Sequence, residues 1–161
     1  MPITSEDFRN AMSRFASGVT VVTTKDAAGY LHGITVSAFS SVSLEPPLVL
    51  ICIENSAGSL HAFKQSEMFV VNILTRDQVE LSERFAAQIT DKFAGVDMEL
   101  NIDGIPIISN CLANIDCRVR NYYDGGDHTI FIGEVEDART AEGDPIIYFR
   151  SDYHWIGKRG I

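Results

Sequence analysis

Five hydroxyl side chains stand close together in one otherwise apolar segment of this chain, residues 33–50. They are Thr35, Ser37, Ser40, Ser41 and Ser43. A polar segment inside a compact domain must find hydrogen-bond partners for its hydroxyls and its backbone groups. A bound ligand rich in donors and acceptors would supply those partners, whereas an ordinary solvated turn would use water or capping bonds instead.

A histidine follows a glycine-rich turn in a second segment. Residues 124–127 read DGGD, which is typical of a hairpin turn, and His128 begins the β-rich stretch after it. One interpretation is a solvent-facing turn residue. The other is a group that binds a ligand by hydrogen bonding, with proton donation a lesser role.

Other patterns of catalytic chemistry are missing from the sequence. The four histidines show no HExxH-like spacing, and the three cysteines form no Cys-x-x-Cys pair. We therefore expect neither a metal site nor a disulfide framework. No Gly-x-Gly-x-x-Gly turn follows a strand, so a nicotinamide cofactor is not expected on a Rossmann unit. No Ser/His/Asp set or carboxylate pair indicates acid–base catalysis.

Charge and length exclude several classes of protein. The net charge is −9 over 161 residues and the longest basic cluster is Lys158–Arg159, which opposes nucleic-acid binding. The longest apolar runs are too short to cross a membrane, and the N-terminus lacks the layout of a signal peptide. We therefore expect one domain, residues 1–161, in the cytoplasm, with no membrane association.

The helical signals are few. An amphipathic helix is predicted from Ser5 to Ala16, with Thr4 or Ser5 as its cap, and a short one from residue 55 to 63. A third is predicted to start at Asp77.

Strand signals dominate the rest of the chain. The predicted strands are residues 19–24, 30–36, 48–53, 68–74, 115–119, 129–138 and 146–149. The run 48–53 is apolar throughout, which predicts a strand buried on both faces, and irregular structure is expected from Ile105. The fold class is mainly β, and periodicity alone leaves a barrel and a sandwich equally compatible.

The two chemistry-bearing segments together resemble the flavin reductase-like family. The first reads Gly33-Ile-Thr-Val-Ser and then Ser-Val-Ser-Leu-Glu-Pro-Pro-Leu48, with Glu45 where the family commonly has Asp. The second reads Gly126-Asp-His and runs to Gly-Glu-Val135. Further matches occur at residues 14–23, 69–72, 81–86 and 91–96, so the resemblance covers about Phe8 to Tyr153.

The resemblance implies a fold, an activity and partners. The fold would be an FMN-binding split β-barrel, a β-barrel with a few short helices, that binds flavin at a homodimer interface. The activity would be an NAD(P)H:flavin oxidoreductase, transferring hydride from NADH, or alternatively NADPH, to FMN or FAD. Reduced flavin would then pass to a separate monooxygenase component.

The resemblance also implies the site residues. Flavin contacts are expected from Gly33, Thr35, Val36, Ser37, Ala38, Cys52, Asn55, Ser56, Ser59, Lys92 and Phe93. Nicotinamide contacts are expected from Arg14, His128 and Tyr153, with His128 as the catalytic residue that orients the carboxamide.

Structural roles compete with several of these assignments. The hydroxyls of the first segment would pair within the sheet, and Ser56 would cap a helix. Lys92 would be a solvated surface charge, Arg14 would interact with a helix dipole, and Phe93 would belong to the core.

Three other functions remain open from the sequence. A flavin-dependent ferric reductase would use the same site, and a carrier or sensor would bind flavin without turnover. A relative of pyridoxamine-phosphate oxidase would share a similar barrel but require a more basic phosphate site.

Overall fold

The computed structural model describes residues 1–158, which are mainly β as predicted. Three short α-helices occur there: Ser5–Met12 (α1), Leu60–Gln65 (α2) and Val79–Ala86 (α3). The strands are Thr20–Lys25 (β1), Leu31–Val36 (β2), Phe39–Leu44 (β3), Pro47–Glu54 (β4), Met68–Ile73 (β5), Met98–Leu100 (β6), Pro106–Ile108 (β7), Ala113–Gly125 (β8), His128–Thr140 (β9), Ile147–Phe149 (β10) and Asp152–His154 (β11). A 3-10 turn, Arg76–Gln78, precedes α3.

Seven strands form one antiparallel sheet in the order β2-β1-β5-β8-β9-β4-β3. The pairs β6–β7 and β10–β11 stand apart as small two-stranded sheets. The irregular structure expected from Ile105 is wrong in part, because Pro106–Ile108 forms β7 and is buried throughout. Such a short strand carries too few residues to show a period-two pattern.

The two edge strands of the large sheet are consecutive in the chain. Only Ser37 and Ala38 separate the end of β2 from the start of β3. A link of that length spans at most about 11 Å between the flanking Cα atoms. The sheet therefore curls until its two edges approach each other at this junction. Within residues 1–158 no ladder joins β2 to β3.

The prediction that strand β4 is buried on both faces is wrong. Val49, Ile51 and Ile53 are buried, whereas Leu50 and Cys52 between them are only half-buried. One face of the sheet covers the core and the other is open, as is usual for antiparallel sheets. The side of β4 that carries Cys52 is therefore accessible.

Two buried clusters support the sheet. The first fills its concave face and includes Phe63 of α2, Phe69 of β5 and Phe131 of β9, each no more than 1% exposed. The second lies under α3 and contains Phe85 and Leu74, both fully buried. It fixes α3, and the segment that follows α3, against β1 and β2.

The helix ends differ from the predicted ones. Thr4 caps α1 as predicted, since its Oγ1 accepts from the backbone N–H of Asp7 at 3.0 Å, but the helix ends at Met12. Ser13 ends it, with its own hydroxyl donating back to the Asn10 carbonyl. Thr75 caps the 3-10 turn in a reciprocal pair with Gln78, and α3 begins only at Val79, so the helix start predicted at Asp77 is wrong.

Among the helices within residues 1–158, none is long and apolar enough to cross a membrane.

Candidate functional site

A cleft of about 1130 Å³ opens beside strand β2. Three segments line it: the start of β2, the turn between β4 and α2, and the end of α3 with the loop after it. The lining residues of these segments are 30–34, then 54 and 56–59, then 85–93. Five of the predicted flavin residues lie here, namely Gly33, Ser56, Ser59, Lys92 and Phe93.

Gly33 is a buried residue at which the cleft meets the second core cluster. A Cβ built on it would lie 2.6 Å from Phe85 Cε1 and 3.2 Å from Phe93 Cζ. The ring of Phe85 thus occupies the space that a side chain would need. The glycine is required for this packing, whether or not a ligand also approaches its backbone.

Phe93 forms part of the cleft wall and also touches the core. Its ring meets the ring of Phe85 edge to face, with centroids 5.0 Å apart. Phe93 therefore both lines the cleft and packs against the second core cluster.

The ammonium group of Lys92 is held by backbone carbonyls. Nζ donates to the Phe85 carbonyl at 2.9 Å and lies 3.4 Å from that of Gly33. The first contact satisfies a carbonyl in the last turn of α3. Burial lowers the pKa of Lys92. An ammonium has three donors, so one stays available for an anionic ligand.

Ser56 and Ser59 both line the cleft, Ser56 as an exposed residue and Ser59 as a buried one. Ser59 stands at the position before α2 but its side chain makes no capping bond, and Ser56 lies further upstream in the turn. The capping role that competed with ligand binding for Ser56 is therefore wrong. Both hydroxyls remain candidates for ligand contact.

Thr35 and Tyr153 are joined through α3. Thr35 Oγ1 donates to the Ser82 carbonyl at 2.6 Å, and the Tyr153 hydroxyl lies 2.9 Å from Ser82 Oγ. The Thr35 hydroxyl is therefore paired inside the protein, with a carbonyl of α3 and not within the sheet as the structural alternative expected. Neither residue is part of the cleft lining.

The β2–β3 junction carries the next three predicted flavin residues. Val36 is buried and its carbonyl accepts from Thr20 Oγ1 at 2.7 Å, whereas Ser37 and Ala38 are exposed. The Ala38 carbonyl accepts from the backbone N–H of Cys52 at 3.1 Å, which ties the junction to β4. Burial raises the pKa of the Cys52 thiol. Ser37 and Ala38 therefore lie on an open surface, outside the cleft lining.

Asn55 binds the turn that carries His128. Its Nδ2 donates to the Gly126 carbonyl at 3.0 Å, and its Oδ1 accepts from Thr129 Oγ1 at 2.8 Å. Its backbone N–H donates to the Asp127 carbonyl at 2.8 Å. Both side-chain groups are engaged, so the structure gives Asn55 a positioning role for this turn, and the predicted flavin contact stays a prediction.

His128 starts β9 beside the end of β4, with its side chain 42% exposed. Its Nδ1 lies 2.7 Å from Asp127 Oδ1, and this hydrogen bond holds the pKa of Asp127 below its ordinary value. With the carboxylate ionised, Nδ1 is the donor, which leaves Nε2 available to a ligand.

Arg14 lies outside the cleft. It follows α1 and is exposed, and its Nη2 donates to Asn10 Oδ1 at 3.0 Å within the same segment. The chain therefore brings the cleft residues together but leaves Arg14 and His128 apart from the cleft lining.

A family model settles the class of protein. The model described as the flavin reductase like domain matches residues 12–157, which is most of the chain. The chain belongs to the flavin reductase-like family. This confirms the resemblance drawn from the sequence.

Two curated relatives of this flavin reductase-like protein are named as reductases. It is 42% identical over 144 residues to the FMN reductase (NADH) SmoA of Agrobacterium fabrum, covering 89% of this chain and 82% of that protein. It is 38% identical over 159 residues to the reductase component of a 4-nitrophenol monooxygenase of Rhodococcus opacus, covering 98% and 85%. The chain spans only 47% of the length of a Rhizobium meliloti relative that is 39% identical.

Solved structures give the same family. Flavin reductase PheA2 superimposes with a TM-score of 0.88 at 45% identity, covering 97% of this chain and all of that one. The NADH:FAD oxidoreductase SgcE6 of Streptomyces globisporus, in complex with NAD and FAD fragments, gives 0.91 at 32% identity and covers 98% of each chain.

Sequence reasoning missed part of the cleft of this flavin reductase-like chain. The lining residues not foreseen are Tyr30, Leu31, His32, Ile34, Glu54, Ala57, Gly58, Phe85 and the loop 86–91. The sequence did contain a signal for this loop. Residues 81–86 and 91–96 both matched the family pattern, and the polar stretch between these two segments is the loop.

Proposed function

We propose that this protein is an NAD(P)H:flavin oxidoreductase. It transfers hydride from NADH to FMN or FAD and supplies reduced flavin to a separate monooxygenase component. The observation that carries the proposal is the match of nearly the whole chain to flavin reductases, together with a cleft lined by residues that the family pattern selects.

The cleft and the β2–β3 junction form the proposed flavin seat. Ser56, Ser59 and the free donor of Lys92 would bind the phosphate-bearing part, while the backbone of Ser37 and Ala38 would face the ring. The flavin, when bound, supplies the hydride-accepting chemistry. The protein's part is to bind, to orient and to exclude water, because reacting atoms must be held about 3–3.5 Å apart.

His128 is proposed as the residue that orients the nicotinamide. The bond to Asp127 fixes the proton on Nδ1, and Nε2 then meets the carboxamide as an acceptor. Asn55 acts through this histidine, because its hydrogen bond to the Gly126 carbonyl fixes the turn that precedes His128. Arg14 and Tyr153 remain proposed nicotinamide contacts, on the family resemblance alone.

A split β-barrel and a homodimer are proposed as the assembly. The curled sheet, whose edges meet at Ser37–Ala38, supports the barrel. A row of exposed apolar side chains on and after α1 supports a partner surface: Phe8, Met12 and Phe15 are 55%, 53% and 78% exposed. Single exposed apolar residues are common on monomers, but a contiguous face indicates an interface.

The remaining proposals concern the domain and the compartment. The family match over residues 12–157 supports a single domain. Three unpaired thiols, Cys52, Cys111 and Cys117, support a reducing compartment such as the cytoplasm.

Anaerobic turnover tests the proposed activity. The protein is mixed with NADH or NADPH and with FMN, FAD or riboflavin, first without and then with a ferric chelate, and the loss of nicotinamide and flavin absorbance is followed. Many turnovers per chain would support the reductase and reveal both preferences. Turnover only with a ferric chelate would favour the ferric reductase instead, and tight flavin binding without NADH oxidation would favour the carrier or sensor.

A further inference from the structure

We propose that Asp26, His32 and His61 form a binding site for a divalent transition-metal ion of the zinc class at the edge of the cleft. One ligand atom from each residue can be chosen so that all three lie within 4.8 Å of one another. The flavin chemistry proposed above makes no use of these three residues.

The geometry of the cluster fits a metal. Asp26 Oδ2 and His32 Nε2 are 3.0 Å apart, and the rings of His32 and His61 meet at right angles with centroids 5.0 Å apart. Ligand atoms on a tetrahedral zinc ion lie about 3.3–3.6 Å from one another, given metal–ligand bonds near 2.0–2.2 Å. The three ligand atoms lie within 4.8 Å of one another, which is somewhat wider than this spacing. His61 is exposed, so a small rotation of its side chain would bring its ring nitrogen closer to the other two ligand atoms.

Backbone groups already orient two of the three ligands. His61 Nδ1 lies 2.8 Å from the Gly58 carbonyl, which fixes the proton on Nδ1 and leaves the Nε2 lone pair free. Asp26 Oδ1 accepts from the N–H groups of Ala28 and Tyr30, both at 2.9 Å, so Oδ2 faces His32. Metal-binding histidines are usually held by such carbonyl contacts.

The type of ligand selects the metal. Two imidazoles and one carboxylate suit zinc, nickel, copper or iron(II), and they disfavour the oxygen-seeking magnesium and calcium ions. Three protein ligands leave at least one coordination position for water. The Asp26 and His32 side chains are only 12% and 22% exposed, so bulk solvent reaches two of the ligands poorly.

The cluster lies where a bound cation would change the charge of the cleft. His32 lines the cleft, and His61 is anchored to Gly58, which lines it too. The acidic side chains of Glu54 and Asp91 also line this cleft, in a chain of net charge −9. A bound cation would offset that charge where an anionic ligand enters.

Zinc titration tests the site without using enzymatic activity. Protein freed of metal with a chelator is titrated with Zn²⁺ in competition with a chromophoric zinc indicator. We expect one Zn²⁺ per chain, and affinity at least ~100-fold weaker in His61→Ala and in His32→Ala, since even outer-shell changes cost ~10–100-fold. His154→Ala is the matched control, because it removes an exposed histidine outside the cluster.

Two results would overturn the site. One is the absence of stoichiometric binding to the wild-type protein, and the other is equal zinc affinity in the wild type and both cluster variants. Far-UV circular dichroism of His61→Ala, whose exposed side chain packs little, confirms that loss of zinc binding is not loss of folding. Because flavin is absent, the result is independent of the reductase activity.

Discussion

Replacing Gly33 by alanine separates a packing role from a ligand role at the cleft. The new methyl group would lie 2.6 Å from Cε1 and 2.8 Å from Cδ1 of Phe85, closer than real Cβ contacts allow. Phe85 is fully buried, so its ring cannot swing into solvent. Overpacking of this kind costs about 1–3 kcal/mol, and the two close contacts with a buried ring place this case near 2 kcal/mol.

Urea denaturation followed by circular dichroism measures this loss in the flavin-free protein. For a chain of this size, about 2 kcal/mol also lowers Tm by roughly 4–8 °C. Gly58→Ala is the matched control, because Gly58 lines the same cleft and an added Cβ there meets nothing within 4 Å. We expect its stability to change by less than ~0.5 kcal/mol.

A double-mutant cycle with Phe85→Leu identifies the cause. Leucine lacks Cε1 and is smaller, so Gly33→Ala should cost at least ~1 kcal/mol less in that background than in the wild type. Strict additivity of the two changes would refute the clash with Phe85. An unchanged stability of Gly33→Ala, combined with weaker flavin binding, would mean that the glycine serves the ligand alone.

Three further predictions concern the turn at His128 and the buried thiols. Asn55→Ala should destabilise the protein by about 1–2 kcal/mol, because the Thr129 hydroxyl loses its acceptor. It should also raise the KM for NADH, and wild-type stability together with a wild-type KM would contradict the positioning role. His128→Ala should slow hydride transfer in stopped-flow traces with flavin affinity kept, and equal loss of flavin binding would contradict its role. Burial raises the pKa of Cys111 to about 11 and that of Cys117 to about 12 from 9.0. The unfolded chain therefore loses these protons first, so stability should fall as pH rises from about 9 towards 11–12, by up to ~1.4 kcal/mol per pH unit per thiol. Cys117→Ala should show a shallower slope in urea midpoints, and an unchanged slope would count against this cause.

The sequence predicted those parts of the fold that depend on neighbouring residues. The DGGD turn pairs β8 with β9 and Thr4 caps α1, because a hairpin turn and a helix cap are decided within four residues. The predicted strand 115–119 likewise lies within β8. The burial of β4 was misjudged because an apolar run does not show which face meets the core.

Side-chain pairings between residues distant in the chain were not predicted. The hydrogen bond from Asn55 to the Gly126 carbonyl, 71 residues away, is one example, because no local sequence pattern reports such a pairing. The cluster of Asp26, His32 and His61 escaped for a similar reason: its members lie on a turn, a strand and a helix. Only the folded sheet brings them together.

The edge strand β3 has a consequence for handling this protein. Phe39–Leu44 reads FSSVSL, six residues with no charge, proline or glycine, and Leu44 is 84% exposed. Such a segment at a sheet edge can recruit another chain and start edge-to-edge aggregation. The Glu45-Pro46-Pro47 sequence directly after it limits that hazard, since a charge and two residues without a donor act as gatekeepers. Replacing those three residues would therefore threaten solution behaviour before it affected any chemistry in the cleft.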